Sequence, residues 1–95
     1  MEIQFTTQVF KEGNTFVAHT PELDVSSCGD TEQKALENLN EAVTLFLEEA
    51  DQLGTLNQIL EEAGFFKRGN TLEGPEFIGT QRISLSLPPL HVKEA

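Results

Sequence analysis

The sequence predicts a two-layer α+β domain with the element order β-β-β-α-α-β. Three observations carry this. The stretch "EIQFTTQVFK" alternates apolar and polar residues with a period of two. "TFVAHT" follows it across the turn signal "EGN". Residues 30–53, "DTEQKALENLNEAVTLFLEEADQL", then switch to the period of an amphipathic helix. Strands with one apolar face and a helix with one apolar stripe bury each other when stacked. The expected architecture is therefore a three-stranded antiparallel sheet plus a final strand, covered by one long helix.

In the first strand Ile3, Phe5, Thr7 and Val9 point one way, and Gln4, Thr6 and Gln8 the other. Gly13 and Asn14 can take positive φ, so residues 2–20 read as a β-hairpin. Pro21 in "PELD" has no N–H for a ladder and interrupts the pairing. "VSSCG" at 25–29 is a short third strand. Helix signals then arrive together. Asp30 and Thr31 can both cap, Asp30 with Gln33 is a capping-box candidate, and Glu32 suits the positive end of the helix dipole. With Leu36 at zero and about 100° per residue, Leu36, Leu39, Val43, Phe46, Leu47, Ala50 and Leu53 fill one stripe, with Ala35 and Ala42 at its margin. The stripe is roughly 140° wide, enough to cover a sheet. Glu37, Glu41, Glu48 and Asp51 take the opposite side, where Leu45 also falls. Gly54 stops the helix.

"TLNQILEEAGF" reads as a second, short helix with Leu56, Ile59, Leu60 and Ala63 on one face. "KRGNTLEGPE" at 67–76 is loop or hairpin. "RISLSLP" at 82–88 sets Ile83, Leu85 and Leu87 against Ser84 and Ser86, the pattern of a final strand ended by Pro88 and Pro89. Residues 1–88 are expected to form a single domain, and 89–95 a C-terminal tail.

Length and charge bound the function. A chain of 95 residues holds one small core, and association would add to its stability. A net charge of −10 argues against direct nucleic-acid binding, which needs Lys and Arg to displace counterions from phosphates. It suits a protein that meets a basic partner. The single cysteine, Cys28, leaves no internal disulfide and fits a reducing cytoplasm. "MEIQFTTQVF" lacks the pattern of a signal peptide, and no run is apolar enough to span a membrane.

The stretch "FKEGNTFVAHTPELDVSSCGDTEQKALENLNEAVTLFLEE" resembles the N-terminal domain of HicB-like antitoxins. That family has a hairpin ending in a Pro-Glu-Leu-type corner, then a short strand with a Gly. Its helix opens with Thr and carries Ala-x-x-Asn-x-x-Glu-Ala. The matching positions are Gly13, Pro21, Glu22, Leu23, Gly29, Thr31, Ala35, Asn38, Glu41 and Ala42, within residues 3–50. The resemblance implies a truncated RNase H-like fold. It also implies a partner, a small basic HicA-type toxin that cleaves mRNA and has a double-stranded-RNA-binding-like fold. Family members often add a C-terminal operator-binding domain; "PLHVKEA", after the expected last strand, is too short for one.

No residue combination points to catalysis. RNase H-type nucleases cluster carboxylates around metal ions, whereas the acids here sit in turns, at caps and on the outer helix side. No Cys/His spacing suggests a metal or other cofactor. His19 has no evident nucleophile beside it and reads as a hairpin-face residue. Cys28 reads as a buried or half-buried thiol. Phe65, Phe66, Lys67 and Arg68 form a small basic–aromatic cluster with too few charges for nucleic acid, so the Phe residues are expected to pack and the cations to serve solubility.

The sequence-based expectation is an antitoxin-type binding protein without enzymatic activity, forming a homodimer or higher homo-oligomer. Its candidate partner-contact residues are Glu37, Glu41, Leu45 and Glu48. The alternatives are a stand-alone oligomeric module that binds another protein or a small ligand, and an RNase H-like nuclease.

Overall fold

A computed structural model of the chain describes residues 1–91. The fold is α+β. Among the described residues, six strands form two three-stranded sheets, joined by a long helix and a short one. One sheet is β2 (Gln8–Glu12), β3 (Thr15–Thr20) and β4 (Val25–Gly29), antiparallel in the order β2-β3-β4. The other contains β1 (Glu2–Gln4), β5 (Phe66–Arg68) and β6 (Thr71–Glu73), in the order β1-β6-β5. There β6 runs parallel to β1 and antiparallel to β5. The helices are α1 (Glu32–Leu53) and α2 (Leu56–Glu62).

The long first strand is interrupted. Its ends pair with different neighbours, β1 with β6 and β2 with β3. Between them the Thr6 N–H donates to both Glu22 carboxylate oxygens, at 3.1 and 2.9 Å. A side chain from the β3–β4 corner thus takes a position where a strand neighbour would otherwise stand. The hairpin joining β2 and β3 turns at Gly13, φ 61°, the left-handed region where glycine has no steric penalty.

Of the two cap candidates, helix α1 uses Thr31 rather than the Asp30–Gln33 capping box, and the Gln33 side chain bonds Glu37 instead. The Thr31 side chain accepts from the Lys34 N–H at 3.0 Å and caps the first turn. Gly54 closes the helix in the left-handed conformation, φ 76°. Its apolar stripe faces the β2-β3-β4 sheet. Ala35, Leu39, Val43 and Ala50 are buried, and Leu36, Phe46 and Leu47 pack half-buried around them. Leu53 departs from the expected stripe and is 70 % exposed, because the core contacts of the helix end one turn earlier, at Ala50. Ala18 from β3, Leu23 from the β3–β4 corner and Phe65 from the link between α2 and β5 complete the buried cluster. Leu56, Ile59 and Leu60 of α2 and Ala63 at its C-cap are all half-buried, and the last two lie against the core.

The final strand lies elsewhere than its alternation suggested. Residues 67–76, expected as loop or hairpin, contribute most of the β5–β6 hairpin, and β6 takes the place beside β1. Residues 82–88 form no strand, and the described chain beyond Glu73 has no regular structure. The chain leaves the sheet at Gly74, packed between the Phe65 ring and Glu22, and at Pro75, which lies over Gly64. The alternation of 82–88 is a demand for a neighbour, and among the described residues no sheet edge meets it. Of the expected tail, residues 92–95 lie outside the described residues.

Candidate protein-binding face

The four candidate residues lie on one exposed stripe of α1. Glu37, Glu41, Leu45 and Glu48 recur at spacings of four, four and three, which a helix gathers within about 80° of its circumference. With Asn40 and Thr44 they line one shallow groove along the helix. Leu45 lies in it 65 % exposed. Glu41 and Glu48 stand seven residues apart, about 10 Å along the axis. The polar residues here are partly committed to the helix: Gln33 Nε2 donates to Glu37 Oε1 at 3.2 Å, and Thr44 Oγ1 donates to the Asn40 carbonyl at 2.8 Å. The result is an apolar side chain edged by three carboxylates. This surface attracts cations and repels phosphates.

The other residues of the antitoxin-like pattern have structural duties. Leu23 and Ala35 are buried, and Thr31 is the N-cap. Asn38 Nδ2 donates to the Cys28 carbonyl at 2.8 Å, tying α1 to β4. A Cβ on Gly29 would stand 2.7 Å from the Ala35 nitrogen, so only glycine lets the helix start so close to the strand. Glu22 accepts from Thr6 and from Thr20 Oγ1, the latter at 3.2 Å. Burial pushes its carboxyl up, but the hydrogen bonds together outweigh burial and hold the pKa below its ordinary value. Glu41, exposed on α1, is the member of the pattern that also faces the groove.

Three other features differ in kind. His19 lies on the sheet face away from α1, with Nε2 2.9 Å from Asp24 Oδ1. Cys28 is exposed rather than buried. In β4, Val25, Ser27 and Gly29 are the less exposed residues, and this alternation turns Ser26 and Cys28 toward solvent. The basic–aromatic cluster divides: Phe65 is buried, while Phe66 is 48 % exposed with the Arg68 guanidinium 5.5 Å from its ring centre.

A second concavity was not legible in the sequence. An open cleft of about 570 Å³ lies where β1 runs into residues 5–6, beside Glu22, Arg68 and the Glu73–Glu76 exit segment. Its one cation, Arg68, is engaged with Glu73, Nε to Oε2 at 3.1 Å. The parallel pairing of β1 with β6 creates this cleft, and no local motif signals that pairing. Among the described residues no group of three or more His, Cys, Asp or Glu side chains could hold a metal ion, and no helix is long and apolar enough to cross a membrane. Compared with protein-family models, curated proteins and solved structures, the chain matches none.

Proposed function

We propose that the protein is a HicB-like, antitoxin-type binding protein that occludes a small basic RNA-cleaving partner of the HicA type. The observation that carries this reading is the α1 groove, with exposed Leu45 edged by Glu37, Glu41 and Glu48. It offers an apolar anchor within a charge pattern opposite to that of an RNA-binding surface. The resemblance of residues 3–50 supplies the partner class. In this reading the carboxylates stand where RNA phosphates would stand on the toxin, and the protein contributes no chemistry of its own. The reading also takes the fold as a truncated RNase H-like one and the site of action as the cytoplasm.

The test is inhibition of RNA cleavage by a HicA-type ribonuclease, together with association kinetics. Complementary charge acts mainly on encounter and is screened by salt. Association should slow as salt rises, and reversing Glu41 and Glu48 to Lys together should lower the on-rate more than it raises the off-rate. An unchanged on-rate for the double reversal, or submicromolar binding of the protein to DNA or RNA at physiological salt, would refute the proposal.

A further inference from the structure

The first strand leaves one whole edge open. The Glu2 N–H donates to the Asn70 carbonyl at 3.1 Å, and the Thr6 N–H to Glu22. The two-residue turn of the β2–β3 hairpin directs the backbone groups of Glu12, Phe10 and Gln8 toward β3. Even-numbered residues therefore face neighbours along the length of the strand. The odd-numbered ones (Ile3, Phe5, Thr7, Val9 and Lys11) direct their N–H and C=O groups the other way, where, among the described residues, β1 and β2 have no paired strand. Between Ile3 and Phe10 this edge carries no charged residue. Edges are ordinarily protected by shortness or charge. Of the other outer edges, β5 has such protection, with three residues including Lys67 and Arg68, and in β4 one outward-facing group, the Cys28 carbonyl, is already taken by Asn38.

The same chain holds a strand-patterned segment with no neighbour. Ile83, Leu85 and Leu87 are 69, 84 and 70 % exposed. Exposure on this scale shows in the whole molecule. Its accessible surface is 7757 Å², about 2,300 Å² more than a compact protein of 10.5 kDa presents. Its radius of gyration is 16.8 Å, against about 12 Å for a compact chain of this length. A standard interface needs only about 800 Å² from each partner.

We infer that residues 82–87 of one copy add as a strand to the open β1–β2 edge of a second copy, reciprocally, to form a closed dimer. The patterns match. Ile3, Phe5 and Val9 are half-buried on the core side of the first strand, and Ile83, Leu85 and Leu87 extend that apolar layer, while Ser84 and Ser86 fall with Gln4 and Gln8 on the polar face. The charges match as well. Residues 77–91 hold Arg82 and no Asp or Glu, so this segment can approach another copy of a −10 chain without adding acid to acid. Geometry favours exchange between copies. The chain leaves β6 at Gly74–Pro75, on the even-numbered side of the first strand, and its own residues 82–87 would have to cross that strand to reach the open edge. Two such exchanges close on each other by two-fold symmetry.

Sedimentation of the full chain from about 1 to 500 μM tests this. The wild type should dimerise, more tightly as salt rises, because screening removes repulsion between like-charged copies. Leu85→Glu should weaken dimerisation by about tenfold or more, and Ser84→Glu by less than about threefold, since only the first side chain enters the apolar layer. Leu85 is exposed in the single chain, so Leu85→Glu should retain the wild-type circular dichroism. Ile83→Glu provides a second variant with the same expectation. Amide exchange should show residues 3–11 and 82–87 gaining protection together as concentration rises. A monomer throughout the range would overturn the inference. So would wild-type association by Leu85→Glu and Ile83→Glu, or a dimer abolished by Leu45→Glu and untouched by Leu85→Glu.

Discussion

Gly29→Ala probes the junction between β4 and α1, on which the position of the acidic face depends. A Cβ built on Gly29 would lie 2.7 Å from the Ala35 nitrogen and 2.9 Å from both the carbonyl carbon and the Cβ of Lys34. Ordinary contact between carbon atoms begins near about 3.5 Å, so strand and helix would have to part by roughly 0.6–0.8 Å. The obstacle is mostly backbone, and the Lys34 N–H there is already engaged by the Thr31 cap. Overpacking of this kind costs about 1–3 kcal/mol, and restricting the unfolded chain by replacing Gly offsets about 0.4–1 of that. The expected net loss is about 1–2 kcal/mol. Urea melts followed by far-UV circular dichroism at one fixed protein concentration read it out, since the chain has no Trp or Tyr to follow. Gly79→Ala is the control: a Cβ there meets nothing within 4 Å, and the change should stay within about 0.5 kcal/mol. A Gly29→Ala loss below about 0.5 kcal/mol would show that the helix is not seated against β4 as described.

Leu39→Ala should cost about 2–5 kcal/mol in the same melts, because the side chain is fully buried and its removal leaves a cavity under the centre of α1. Thr31→Ala should cost about 1 kcal/mol by releasing the Lys34 N–H, with the loss seen in denaturant midpoint rather than in slope. Glu22 gives a pH signature. Its folded pKa lies below the ordinary value of 4.5, so its contribution is present above that value and is lost as pH falls through the folded pKa. Glu22→Gln should therefore be less stable than the wild type at neutral pH, and thermal melts of the two should converge in acid. A gap that stays constant down through acid pH would count against the Thr6 and Thr20 hydrogen bonds as its source.

The local elements were legible from residues alone because each rests on short-range physics. The strand run "TFVAHT" after its turn signal, the glycine at the hairpin turn, the Thr31 cap and the Leu36–Ala50 stripe each depend on neighbours within a few residues. So does the grouping of Glu37, Glu41, Leu45 and Glu48, since helix geometry alone places them on one face. The expected burial of Cys28 was not realised, because it depends on which sheet face the helix covers. Only the tertiary structure decided three further matters. Glu22 interrupts the first strand because the β3–β4 corner brings its carboxylate to Thr6 across 16 positions of sequence. The strand beside β1 is β6 rather than residues 82–88, a choice between two segments that both satisfy local rules, settled by the non-local pairing of β6 with β1 and β5. The third is the open edge itself. Alternation in "RISLSLP" states that the segment wants a neighbour, but strand pairing is non-local. Which neighbour it finds depends on every other pairing the chain has already made.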